Sequence, residues 1–236
     1  MCGRFTLTMD PRTFEEAMAA MYDVKYDPSL ATLPRYNIAP GQDALALIHD
    51  GDSYRLGTLH WGIPLKKRSG TPNTLVNARS ETIHEKPLFK DAFLKRRCLI
   101  LADGYYEWKI HAKGKTPMRI QPKKRDLFAM AGIYEPFNEK DGSTSYRFAI
   151  VTKEADETVA SIHDRMPLIL PKDQEEAWVH PKHHGQTETL KALLHDHPVE
   201  TLDYYPVDPM VNDPKNDTPE CIIPAKDQDI NLFDTR

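Results

Sequence analysis

Nineteen prolines in 236 residues set the first limit on the fold. Each removes a backbone donor and clashes with the preceding helical turn, so no long helix can run through one. The chain is cut into short segments, which favours strands and loops over a helical bundle. Residues Pro11–Met21 predict a helix with Asp10 as N-cap and Pro11 in the first helical position. "DALALIHD" and "SYRLGTLHWG" alternate in polarity and predict a hairpin closed near "DGDS". "NARSETIHEKPLFKDAFLKRR" reads as helical patterning broken at Pro87, and "CLILADGYYEWKI" as a buried strand running into a turn. "PMRIQP", "LFAMAGIYEPF" and "YRFAIVTKEA" read as further strands, and "PKDQEEAWVH" and "TETLKALLHD" as short helices. There is no regular βαβ rhythm. The expectation is a single α+β domain, residues 1–236, on a curled, barrel-like mixed or antiparallel sheet flanked by short helices. Its core is expected over residues 2–205, with the Pro/Asp/Asn-rich segment 206–236 wrapping the surface.

A 40% hydrophobic and 28% charged composition is that of a soluble globular protein. No apolar run reaches the roughly 18 residues of a transmembrane helix, and no basic segment leads into an apolar one as in a secretory signal. A cytoplasmic protein without membrane contact is expected. Cys2, Cys98 and Cys221 are odd in number and far apart, which argues against a disulfide framework and a cysteine zinc site. No metal or cofactor is expected. The net charge of -4 does not itself suggest nucleic acid, although basic runs occur at Lys66–Arg68, Lys95–Arg97 and Lys123–Arg125. Taken alone, each run reads as a solvated surface.

The chain opens "MCGRFT". Once Met1 is removed, Cys2 carries a free α-amine beside its thiol, a 1,2-aminothiol that no internal cysteine offers. Four polar clusters sit in apolar surroundings: Asn77 and Arg79 in "LVNARSET", Glu107 among aromatics in "LADGYYEWK", His163 to Arg165 in "SIHDRMPLIL", and Arg35 and Asn37 before the turn at Pro40. Each has a structural alternative: Asn77 bonding nearby backbone, Glu107 pairing with Lys109, His163 as a satisfied structural histidine. Together they suit a nucleophile with proton shuttles. A carboxyl group among aromatics is desolvated and becomes a general acid near neutral pH. Arginines can bind phosphates and Trp108 can stack on a base.

"MCGRFT", "RYNIAPGQ", "HWGIP", "NARSET", "ADGYYEWK", "IVTKEAD" and "IHDRMPLIL" occur in the order found in the SRAP family of SOS-response-associated peptidase, or abasic-site processing, proteins. The resemblance runs from Cys2 to about Trp178. It implies a curled-sheet α+β domain, monomeric, with a positive cleft for single-stranded DNA containing abasic sites, single/double-strand junctions included. It also implies a covalent cross-link through Cys2 in the DNA-damage (SOS) response, with associated lyase and peptidase activities. By the same resemblance Cys2 is the nucleophile, Asn77 orients its amine, Glu107 is the acid/base and His163 donates a proton to the deoxyribose ring oxygen. Arg4, Arg79 and Arg165 would bind phosphates, with Asn37, Pro40 and Trp108 shaping the nucleotide site. Where bacterial relatives carry a tryptophan pair after "WG", this chain reads "WGIPLKKRSG", so Ile63 and Pro64 would wedge the bases or "KKR" grip a phosphate. The chemistry agrees: the amine condenses with the ring-opened aldehyde to an imine, and the thiol closes a five-membered thiazolidine on the same carbon. The unperturbed α-amine pKa of about 7.7–8.0 leaves a neutral fraction for that attack. Two other readings stand beside this one. One is an N-terminal-nucleophile glutamine amidotransferase, although "RFT" follows Met-Cys-Gly here and the Arg-Gly-Pro-Asp-like motif is lacking. The other is a non-catalytic single-strand-binding module.

Overall fold

The computed structural model describes residues 2–65, 74–195 and 201–225. Strand β1 (Phe5–Leu7) leads into helix α1 (Pro11–Tyr22). The Asp10 side chain accepts from the Arg12 and Thr13 N–H groups, Pro11 starts the helix, and Phe14, Met18 and Tyr22 form its buried stripe. Strands β2 (Arg35–Ile38), β3 (Asp43–His49) and β4 (Tyr54–Trp61) follow. The hairpin expected from the alternating segments is β3 against β4, antiparallel from Asp43↔His60 to His49↔Tyr54.

Short strands β5 (Ile63–Pro64) and β6 (Thr74–Leu75) pair with each other, and β7 (Asn77–Arg79) follows directly. Lys66–Arg68, and with them most of the departing segment after "WG", lie outside the described residues. Pro87 does not break a helix: it starts one, α2 (Pro87–Lys95). Its missing N–H costs nothing in the first turn, where amides have no intrahelical partner. "CLILADGYYEWKI" is likewise two strands, β8 (Arg97–Ala102) and β9 (Gly104–His111), which belong to different sheets. Asp103 marks the joint. Its carboxylate accepts from Thr6 Oγ1, from the Thr8 N–H and hydroxyl, and from Arg119 at 3.3 Å.

The remaining elements are β10 (Gly114–Pro122), β11 (Phe128–Asn138), β12 (Thr144–Glu154), α3 (Glu157–Ala160), β13 (Arg165–Pro167), α4 (Lys172–Val179), α5 (Thr187–His195) and β14 (Leu202–Pro206). One sheet runs β14-β10-β9-β1-β2. The other runs β11-β8-β3-β4-β12, and pairing of β11 with β12 closes these five strands into a barrel. Closure leaves no free edge among the five. Beyond the barrel, the end of β12 continues between β7 and β13: Thr152 is opposite Arg79 on one side and Pro167 on the other. The main core, with Trp61, Trp178, Phe93, Phe128 and Phe148 fully buried, fills the barrel and the space beneath the helices. A smaller apolar cluster of Tyr106, Val207, Val211 and Cys221 lies under residues 206–225.

Gly104 is needed where β9 leaves the Asp103 joint. A Cβ there would stand 2.8 Å from the Arg119 guanidinium carbon. That guanidinium is buried and paired with Asp103 at 3.3 Å, so making room for the methyl would pull it off this partner. Gly104→Ala should therefore cost about 1–3 kcal/mol, the usual scale of overpacking. Thermal unfolding should show a fall of several degrees for a chain of this length.

Candidate active site

Cys2 is completely buried, just ahead of β1. The antiparallel register of β1 and β9 sets Phe5 opposite Tyr105, and the Tyr106 N–H donates to the Arg4 carbonyl at 2.9 Å. Continued by two residues, that register sets Gly3 opposite Glu107 and Cys2 opposite Trp108. From the other side Asn77 reaches over from β7, its Nδ2 donating to the Cys2 carbonyl at 2.8 Å. Trp61 braces both partners: its Nε1 donates to the Val76 carbonyl at 2.9 Å and its ring packs on Phe5 with centroids 5.1 Å apart. Asn77 Oδ1 is buried and accepts no hydrogen bond from the described residues.

Glu107 is only 3% exposed. Burial holds its carboxyl above the ordinary glutamate range, against the pull of the positive amino terminus and of His163. Burial, reinforced by the negative charge of Glu107, pushes the Cys2 thiol far above its ordinary range. The sulfur therefore keeps its proton at neutral pH. Glu107 is therefore within electrostatic reach of both Cys2 and His163. A carboxyl at a solvated strand end, pairing with Lys109, would not be buried in this way.

His163 lies in the loop between α3 and β13. Its Nδ1 accepts the Arg165 N–H at 3.0 Å, which puts the proton of the neutral ring on Nε2. Asp164 Oδ1 is 2.8 Å from the same nitrogen.

The three arginines differ. Arg79 is exposed at the end of β7, and its charge lowers the Glu81 carboxyl together with Arg165. Arg165 is 8% exposed, forks onto Glu81 at 2.6 and 3.0 Å, and donates to the Thr152 carbonyl at 2.6 Å. Arg4 is equally buried and donates to Asn37 Oδ1 and the Val211 carbonyl, each at 2.6 Å. Asn37 lies buried in the same network, whereas Pro40 is exposed in the β2–β3 turn. Trp108 is half-buried, its Nε1 donating to Asn212 Oδ1 at 2.6 Å and its ring 5.8 Å from the Arg4 guanidinium. Arg79 is therefore the arginine of this set presented to solvent, while Arg4 and Arg165 are held by internal acceptors.

Of the basic runs, Lys95–Arg97 is a packing feature: Arg96 pairs with Asp91 and Glu135, and Arg97 is buried against the Trp178 and Phe93 carbonyls. Lys123 and Arg125 border a polar cavity of about 300 Å³ whose floor is the Asp103–Arg119 pair. Among the described residues no three His, Cys, Asp or Glu side chains converge as metal ligands, and no helix is long and apolar enough to cross a membrane.

Three features of the site were not singled out in the sequence: Glu81 between Arg79 and Arg165, the Asp103–Arg119 joint, and the segment 211–217. Glu81 had one available signal, its place two residues beyond Arg79, in the turn that follows β7. The other two depend on contacts distant in sequence.

The fold has solved counterparts. A crystal structure of a protein from Bacteroides thetaiotaomicron superposes with a TM-score of 0.77 at 26% identity, covering 95% of this chain and 100% of that one. A phage-related protein from Bordetella bronchiseptica gives 0.69 at 30% identity, over 87% of this chain and 94% of the other. Both share the barrel-based α+β architecture. Residues 1–214 match the family model described as SOS response associated peptidase (SRAP), and the chain belongs to that family. The abasic site processing protein YoqW of Bacillus subtilis is 40% identical over 225 residues, 94% of this chain and 99% of its own length. The abasic site processing protein HMCES of Xenopus tropicalis is 34% identical over 269 residues, 94% of this chain and 78% of its own length.

Proposed function

We propose that this protein processes abasic sites in single-stranded DNA by covalent capture, using the α-amine and thiol of Cys2 after removal of Met1. The observation that carries the reading is the buried junction at Cys2, where Asn77 holds its carbonyl at 2.8 Å and Glu107 acts on its thiol. The names of the relatives supply the substrate class, the abasic site.

The steps balance on these residues alone. The Cys2 amine attacks C1′ of the ring-opened sugar, and the carbinolamine loses water to give an imine, with protonated Glu107 as proton donor to the departing oxygen. The S–H bond of Cys2 then adds across the C=N bond: sulfur joins the carbon and the proton ends on nitrogen. His163 serves ring opening, its Nε2–H donating to the ring oxygen. Asn77 Oδ1 is the acceptor that orients the freed α-amine. Arg79 is the phosphate contact at the rim, and Arg165 braces the His163 loop through Glu81.

The test is an N-terminal block. Protein carrying a tag that cannot be removed should melt normally and bind single-stranded DNA, yet form no heat-stable adduct with an abasic oligonucleotide. Normal adduct yield from the blocked protein would refute the reading. Phosphate contacts are read separately. Arg79→Gln should reduce the salt dependence of single-strand binding by about 0.7 in log–log slope, the value for one phosphate. An unchanged slope would remove Arg79 from the interface.

A further inference from the structure

We infer that residues Val211–Asp217 form a positioning strap for Cys2, acting through Arg4 and Asn37; the inference rests on the role proposed for Cys2. The strap belongs to the region whose composition reads as solvated surface, yet its backbone carbonyls point inward. Asn37 Nδ2 donates to the carbonyls of Val211, Asp213 and Asn216 at 3.2, 3.1 and 2.6 Å. The Arg4 guanidinium shares the Val211 carbonyl and reaches that of Asn212 at 3.5 Å. Asp217 locks the far end. One oxygen accepts the Tyr36 and Asn37 N–H groups along the outer edge of β2, at 2.5 and 2.9 Å, and the other accepts Arg35 Nε at 2.5 Å.

Arg4 is two residues from Cys2, and its backbone N–H lies on the Cys2 thiol side, where it pulls the thiol's pKa down against burial. Its buried charge has carbonyl and amide oxygens as acceptors. A buried cation stripped of such acceptors is costly, so the side chain would turn toward water and take the backbone at residues 2–4 with it. Cys2 would then keep Asn77 on its carbonyl but lose the side-chain anchor two residues on. Misplacement by about 1 Å is enough to cost on the order of 10²-fold in a reaction that depends on alignment. The same geometry argues against Arg4 as a phosphate contact, because its guanidinium is turned inward onto the Asn37, Val211 and Asn212 oxygens.

The experiment compares Arg4→Gln, Asp217→Ala and Asp217→Asn with wild type, each verified as folded by thermal melting. Three quantities are read: the single-turnover cross-linking rate constant with an abasic oligonucleotide, the salt slope for an intact single strand, and the rate of Cys2 alkylation by iodoacetamide, located by peptide mass. Arg4→Gln and Asp217→Ala should cross-link at least tenfold more slowly with an unchanged salt slope, and Cys2 should alkylate faster. Asp217→Asn keeps an acceptor for the two backbone N–H groups and should recover most of the rate. Wild-type rate constants in Arg4→Gln and Asp217→Ala would overturn the inference. So would a salt slope reduced by about 0.7 in Arg4→Gln, which would make Arg4 a phosphate contact. Failure of both variants to fold would overturn it too, making the strap a folding element. If wild type itself gives no adduct, the proposed function fails, and the alkylation rates alone decide whether the strap positions Cys2.

Discussion

Cys2→Ala protein incubated with an abasic oligonucleotide should leave no adduct that survives boiling in SDS, while borohydride added during the reaction should restore one. The variant keeps the α-amine, and so keeps imine formation, but lacks the thiol that closes the ring. An imine hydrolyses on denaturation; its reduced amine does not. Cys2→Ser should behave in the same way, because an oxazolidine opens far more readily in water than a thiazolidine. Both variants should also nick the abasic strand more than wild type does. The unquenched imine acidifies the neighbouring sugar carbon, and Glu107 or His163 is placed to take the proton. The loss of heat-stable product should be essentially complete, since two bonds to one carbon are replaced by one reversible bond. A heat-stable, unreduced adduct from Cys2→Ala would mean that another residue carries the link.

Glu107→Gln should be slow to react and hard to melt at once. Glutamine keeps the shape of the carboxylic acid but moves no proton, so cross-linking should fall by about 10²-fold or more, the usual scale of general acid–base catalysis. The stability change has the opposite sign. Burial holds the folded Glu107 carboxyl above its ordinary range, so the folded protein binds this proton more tightly than the unfolded chain does. Its contribution to stability is therefore fully present below the unfolded value, about 4.3, and is lost as pH rises through the raised folded value. Glutamine resembles the protonated state at every pH. The variant should melt above wild type at pH 7 and at about the same temperature at pH 4. Equal rates for variant and wild type under single-turnover conditions would end the acid/base assignment. A melting difference that grows toward acid would contradict the burial argument.

Local rules carried the sequence reading furthest where local chemistry is decisive. The Asp10 cap and Pro11 start of α1, and the β3–β4 hairpin, depend on residues within a few positions of each other. Pro87 and Asp103 were harder because each has two meanings. A proline can end a helix or begin one, and here Pro87 begins it. An apolar run can be one strand or two, and only the donors at Thr6, Thr8 and Arg119 make Asp103 a joint between sheets. The site residues were noticed as polar positions in apolar contexts. What they touch was not legible, because Arg165 meets Glu81 across 84 positions and Arg4 meets Val211 across 207. The strap was the least visible. Its side chains are those of a surface loop, and the contacts to Arg4 and Asn37 come from its backbone carbonyls, which every sequence possesses.

The central claim is that the amine and the thiol of Cys2 bond to the same sugar carbon. Intact mass of the boiled wild-type adduct with an abasic oligonucleotide tests it most directly, followed by digestion to locate the modified peptide. The expected mass is that of the protein lacking Met1 plus the oligonucleotide, less one water, with the modification on the peptide that begins at Cys2. An adduct that retains Met1, or one that maps to a lysine, would contradict the account.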